Sequence, residues 1–122
     1  MKQVTDALLG RIVERLVGEF HPDKIVLFGS RAWGEPDENS DVDLLVVVPE
    51  SDQPTYRRAT RAYRSLRDIG VPVDVIVNTR HEVERSKDVT TSLIHKVFAQ
   101  GKVLYGGSQT ARNPAMANQG GS

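Results

Sequence analysis

Gly29-Ser30-Arg31-Ala32-Trp33-Gly34, a turn-rich stretch ending at Ser40, and then Asp41-Val42-Asp43-Leu44-Leu45-Val46-Val47-Val48 decide how this chain folds. The apolar run predicts a strand over about 41–48, and an acidic pair stands at its mouth. Strand side chains alternate, so Asp41 and Asp43 share one face while Val42 and Leu44 take the other. Two carboxylates on one face repel each other and lose hydration, so something positive must sit beside them. A divalent cation meets that need, held by carboxylate oxygens with water and phosphate at its remaining positions.

Upstream, Leu8, Leu9, Ile12, Val13, Leu16 and Phe20 recur at helical spacing and predict an amphipathic helix over Val4 to Phe20. His21-Pro22-Asp23 breaks it, because proline disfavours helix in the residue before it. Ile25-Val26-Leu27-Phe28 then reads as a short buried strand that Gly29 ends. Residues 30–34 suit a helical turn, and Glu35-Pro36-Asp37-Glu38-Asn39-Ser40 a loop of turn formers.

Downstream, Ser51 or Asp52 is a cap for a helix running to about Ile69, with Tyr56, Ala59, Ala62, Tyr63, Leu66 and Ile69 as its core stripe. Arg57, Arg61 and Arg64 take the opposite side. A third strand, Val71 to Val77, carries one charge, Asp74. Residues 80–100 read as helix in two pieces with Leu93, Ile94, Val97 and Phe98 inward and Gly101 as the stop, and Val103-Leu104-Tyr105 as a last short strand. From Gly106 the chain has almost no large apolar residue and is expected to form a disordered tail over 106–122.

Within the three principal strands the acidic residues are Asp41, Asp43 and Asp74. If the second and third strands are neighbours, the carboxylates converge on one edge of the sheet in the outline of a two-metal site. Gly29 lets backbone approach a phosphate closely, the Ser30 hydroxyl and nearby amides offer donors, and Arg31 offers a cation. The segment lacks the glycine-lysine pair of a Walker loop. His21, His81 and His95 are scattered without zinc-ligand spacing.

Gly29-Ser30-Arg31-Ala32-Trp33-Gly34, Ser40-Asp41-Val42-Asp43-Leu44-Leu45-Val46 and Val73-Asp74-Val75-Ile76 together resemble the minimal nucleotidyltransferases of the DNA polymerase beta superfamily. The resemblance implies an α/β (α+β) nucleotidyltransferase fold over residues 1–105, a short mixed β-sheet flanked by helices. It implies that Asp41 and Asp43 bind two Mg²⁺ ions, that Asp74 completes the catalytic metal site and helps take the proton, and that Gly29 and Ser30 hold the triphosphate of ATP. Members often carry a second arginine where Trp33 stands. Many minimal members are antitoxins paired with a helical ribonuclease toxin of the HEPN class, and some transfer AMP from ATP to a tyrosine of that toxin. The expected activity is therefore Mg²⁺-dependent transfer of AMP to a hydroxyl of such a partner. A non-catalytic antitoxin that neutralises its partner by forming a complex is the alternative.

Composition narrows the surroundings. The 122 residues suit one domain with one core. Lys plus Arg number 16 and Asp plus Glu number 16, so no net charge draws the chain to nucleic acid or to an anionic membrane, and direct nucleic-acid binding is not expected. The chain has no cysteine, which excludes disulfides and thiolate metal sites and fits a reducing compartment. The start of the sequence lacks an apolar leader, and no run approaches the roughly 20 apolar residues of a membrane helix, so a cytoplasmic location is expected.

Overall fold

The computed structural model describes residues 4–37 and 39–106. Of the tail expected over 106–122, residues 107–122 lie outside the described residues, as does the loop residue Glu38.

Helix α1, Asp6–Phe20, begins where the Thr5 hydroxyl accepts the Leu8 amide, and it buries Leu8, Ile12 and Leu16 at four-residue spacing. It stops at His21, which adopts the left-handed conformation (φ 48°) and returns its N–H to the Val17 carbonyl. Strand β1, Lys24–Phe28, leads through Gly29 into the single turn α2, Ser30–Trp33. Strand β2, Val42–Val48, follows the acidic loop, and Asp41 stands just before its first residue.

Helix α3 spans Thr55–Ser65 and departs from the sequence reading in three ways. Its N-cap is Pro54, without a side-chain cap; the Ser51 hydroxyl instead accepts the Gln53 amide inside the preceding loop. Its core row is Arg58, Ala62 and the following Leu66, whereas Tyr56 is 67% exposed and Tyr63 44% exposed. An arginine can occupy the core position because every face of it is satisfied. Arg58 forms a two-point ion pair with Glu82 and donates to the carbonyls of Gln53 and Val77. The helix also ends before Ile69: Leu66 and Ile69 remain buried in a run of tight turns ahead of Gly70, whose φ is 87°.

Strand β3 covers Val73–Thr79, beginning later than the apolar pattern suggests. Thr79 and Glu82 then form a reciprocal capping box that starts α4, Arg80–Ser86. Helix α5, Leu93–Gln100, buries Val97 and part of Ile94, while Leu93 and Phe98 are exposed rather than inward. The expected stop at Gly101 holds: its amide bonds the Val97 carbonyl, and an added Cβ would strike that oxygen and the Val26 side chain. Strand β4, Lys102–Tyr105, completes the set.

The four strands lie in the order β3-β2-β1-β4. β1 pairs antiparallel with β2 and with β4, and β2 pairs parallel with β3, so the sheet is mixed as expected. On one face Val42, Leu44, Val46, Val48, Val75 and Val77 pack against α1 and α3. On the other, Val26, Phe28, Leu45 and Val47 pack against Val83 of α4 and Val97 of α5. Period two then fixes the acidic residues: Asp43 shares its face with Leu45 and Val47, and Asp74 shares its face with Ile76, on the α4–α5 side. Among the described residues no helix is long and apolar enough to cross a membrane.

Candidate active site

Register creates the site. Phe28 at the end of β1 pairs with Asp43, and Asp43 pairs in turn with Asp74. Neighbouring strands lie about 4.8 Å apart, so the row places the Gly29 turn, the Asp43 carboxylate and the Asp74 carboxylate side by side across three strands. The second and third strands are neighbours, as the sequence reading required, and Asp41 lies two residues ahead of Asp43 along its own chain.

Gly29 is shaped by this row. Its φ is 76°, and a Cβ added there would lie 2.1 Å from Oδ2 of Asp43. The close approach that demands glycine is therefore made by an acidic side chain of the neighbouring strand, folded over bare backbone. Ser30 follows as the first residue of α2, where amide donors have no carbonyl inside the helix to bond.

Asp43 is half-buried, whereas Asp41 and Asp74 are exposed. Burial first, and then the charges of Asp74 and Asp41, push the Asp43 carboxyl above the ordinary carboxylate range. Among the described residues, none of the ion pairs engages any of the three. A half-buried carboxylate pressed by two like charges, with no cation to offset them, is a donor set that suits a hard divalent ion. As they stand, no three His, Cys, Asp or Glu side chains among the described residues come close enough together to grip one ion. Asp74 has another partner.

That partner is Tyr63. Its hydroxyl donates to Oδ1 of Asp74 at 2.8 Å and accepts the Val75 amide at 3.3 Å. Burial chiefly, aided by the Asp74 bond and by the charges of Asp74 and Asp43, raises the phenol's pKa, while the Val75 amide opposes the shift. Helical periodicity assigns Tyr63 to a core stripe and so misses it. The pairing depends on how α3 lies along β3, which local sequence does not encode.

Arg31 turns toward the loop that leads into Asp41. Its Nε and Nη2 donate to the Ser40 carbonyl at 3.1 and 2.8 Å, and Nη2 also donates to the Asp37 carbonyl at 3.1 Å. The Asp37 carboxylate accepts the Asn39 amide and the Ser40 hydroxyl, closing a turn of the kind its composition predicts. The guanidinium thus staples the turn after β1 to the residue immediately before Asp41.

Trp33, where a second arginine is common in the family resembled, packs beside Phe28 with ring centroids 6.2 Å apart. The Lys96 ammonium of α5 lies 4.6 Å from the indole centroid, so this corner still carries a cation. A concavity of about 490 Å³ lies elsewhere, at the opposite end of the same sheet face among Lys24, Val47, Arg80, Lys87 and Phe98, and none of the three aspartates lines it.

Comparison with known proteins follows the same residues. The family described as "Nucleotidyltransferase domain" matches residues 9–99. Three proteins of Methanocaldococcus jannaschii, each bearing the name "Putative protein adenylyltransferase", are similar. One is 32% identical over 79 residues, which is 65% of this chain and 75% of that protein. The second is 34% identical over 82 residues, 67% of this chain and 77% of that protein. The third is 32% identical over 82 residues, 66% of this chain and 82% of that protein. Among solved structures, one titled as a putative nucleotidyltransferase from Sulfolobus solfataricus superposes with a TM-score of 0.54 at 32% identity, covering 67% of this chain and 73% of that one.

Proposed function

The chain belongs to the nucleotidyltransferase domain family, and from that premise we propose that it transfers AMP from ATP to a hydroxyl of a protein partner, releasing pyrophosphate. The observation that carries this reading is the in-register row of Phe28, Asp43 and Asp74 across three strands, with the Gly29 turn directly after Phe28. The names borne by the M. jannaschii relatives support a protein as acceptor.

In this reading Asp41 and Asp43 hold divalent metal, taken to be two Mg²⁺ ions with Asp74 as a further ligand. Metal held there would offset the charge of the triphosphate and of the pyrophosphate released. The chain's own residues do the rest. Gly29 gives a surface without a side chain, against which the triphosphate and Asp43 both lie close, and the Ser30 hydroxyl and first α2 amides donate to phosphate oxygens. Asp74 accepts the proton of the attacking hydroxyl. Arg31 fixes the loop that delivers Asp41, through its bonds to the Ser40 and Asp37 carbonyls. The rate gain comes from alignment and electrostatics.

The proposed acceptor is a tyrosine of a helical HEPN-class toxin, for which this chain is the antitoxin. Leu93 and Phe98 on α5, with Val103 and Tyr105 on the edge strand β4, are exposed apolar residues that support a protein-binding surface. The test is co-expression with such a partner, followed by intact-mass analysis of that partner. Addition of AMP that disappears with Asp41→Asn/Asp43→Asn supports the reading; transfer that persists in the double variant removes the mechanism.

A further inference from the structure

Tyr63 stands where an acceptor would. β3 is one of the two edge strands of the sheet, and α3 packs on the face opposite the aspartates. Tyr63 crosses that open edge: its oxygen takes the Val75 amide and gives its proton toward Asp74. The residue is 44% exposed, so the edge it guards is open to a ligand.

The sequence of groups across the sheet then matters. The Gly29–Ser30 turn follows β1, Asp43 lies on β2, Asp74 on β3, and the Tyr63 hydroxyl beyond β3. In-line displacement at the α-phosphorus puts the leaving pyrophosphate on one side and the nucleophile on the other. With the triphosphate at the glycine turn and the α-phosphorus over Asp43, the nucleophile's side is the side of Asp74 and Tyr63. A hydroxyl already donating to the proposed proton acceptor has the hydrogen bond that an acceptor needs at the start of transfer.

Resting on the adenylyl-transfer reading above, we infer that Tyr63 is itself a modification site: the chain adenylylates its own Tyr63 when ATP is bound and no partner supplies a hydroxyl. The bond from Tyr63 Oη to the α-phosphorus forms, the bond from that phosphorus to the pyrophosphate oxygen breaks, and the phenolic proton passes to Asp74. ATP is the sole co-reactant.

The test uses the full chain alone, incubated with ATP and MgCl₂ and read by intact mass and tandem mass spectrometry. One AMP is expected on Tyr63 of the wild type, and none on Tyr63→Phe or on Asp41→Asn/Asp43→Asn. Parallel calorimetry with α,β-methylene-ATP and MgCl₂ should show Tyr63→Phe binding nucleotide within about twofold of wild type, which separates loss of an acceptor from loss of the fold. A wild type that binds the analogue and adenylylates a co-expressed partner but leaves Tyr63 bare overturns this inference alone. AMP on some other residue, retained in Tyr63→Phe, also overturns it. Absence of both nucleotide binding and transfer removes the parent reading together with it.

Discussion

Asp43 and Asp74 are register partners in the parallel pair β2–β3, two carboxylates on one face of a sheet. Burial and the neighbouring charges raise the Asp43 pKa from its ordinary value of 3.8, so the folded chain binds that proton more tightly than the unfolded chain does. Ionised Asp43 therefore costs stability at neutral pH, and the cost is relieved as pH falls through the raised value. Asp43→Asn should melt at a higher temperature than wild type at pH 7 in EDTA, with the gap closing toward acid. MgCl₂ should raise the melting temperature of wild type and leave the variant nearly unmoved, while adenylyl transfer by the variant falls by about 10³-fold or more. Melting curves with and without MgCl₂ at several pH values read the stability outcomes, and the yield of adenylylated product reads the last.

Arg31→Ala removes the donors that tie the carbonyls of Asp37 and Ser40 to α2. The loop before Asp41 should loosen, and kcat should drop about tenfold, equivalent to about 1.4 kcal/mol of lost positioning. Arg31→Lys should not restore it, since one ammonium cannot reproduce the planar fork. A large rise in KM for ATP with kcat intact would instead place the guanidinium on phosphate.

Much of the site was legible before the structure, because the signals that carry it are local. Alternation puts Asp41 and Asp43 on one face, and a single charge inside an apolar strand singles out Asp74. Arg58, Tyr63 and Lys96 were not legible, for a common reason: each is defined by a residue from another element. Arg58 is buried because Glu82, 24 positions later, neutralises it. The helical stripe that assigns Tyr56 and Tyr63 to the core is rotated from the true one, and the four-residue spacing of Arg58, Ala62 and Leu66 marks the packed row once an arginine is admitted to it. The α3 cap failed for a different reason, since Ser51 bonds Gln53 two residues on and leaves Pro54 to open the helix.

Gly29→Ala tests why glycine is there. The substitution forces a side chain into φ 76° and drives Cβ into the space of Asp43 Oδ2, 2.1 Å away. Backbone strain of about 1–2 kcal/mol is expected in chemical denaturation. Because Asp43 must move, transfer should fall far more than that strain implies, and MgCl₂ should stabilise the variant less than wild type. If the variant keeps wild-type activity, the contact with Asp43 has no part in transfer.

Glu82 joins three parts of the fold, since it caps α4, pairs with Arg58 of α3 and accepts the Thr79 amide at the end of β3. The Arg58 hydrogen bond above all holds its carboxyl down, from 4.5 to about 2. A depressed folded pKa means that the unfolded chain takes up the proton first, so the pair's contribution is complete above about pH 5 and is lost progressively as pH falls from there toward 2. Glu82→Gln keeps most of the cap and removes the charge, leaving the Arg58 guanidinium buried with only carbonyl partners. The Glu82 side chain is 35% exposed, which moderates the loss to about 2 kcal/mol at pH 7. The variant's melting temperature should also vary less between pH 5 and pH 3 than that of wild type, because the group that titrates there is gone. Equal slopes for the two proteins over that window would show that the ion pair does not govern acid stability.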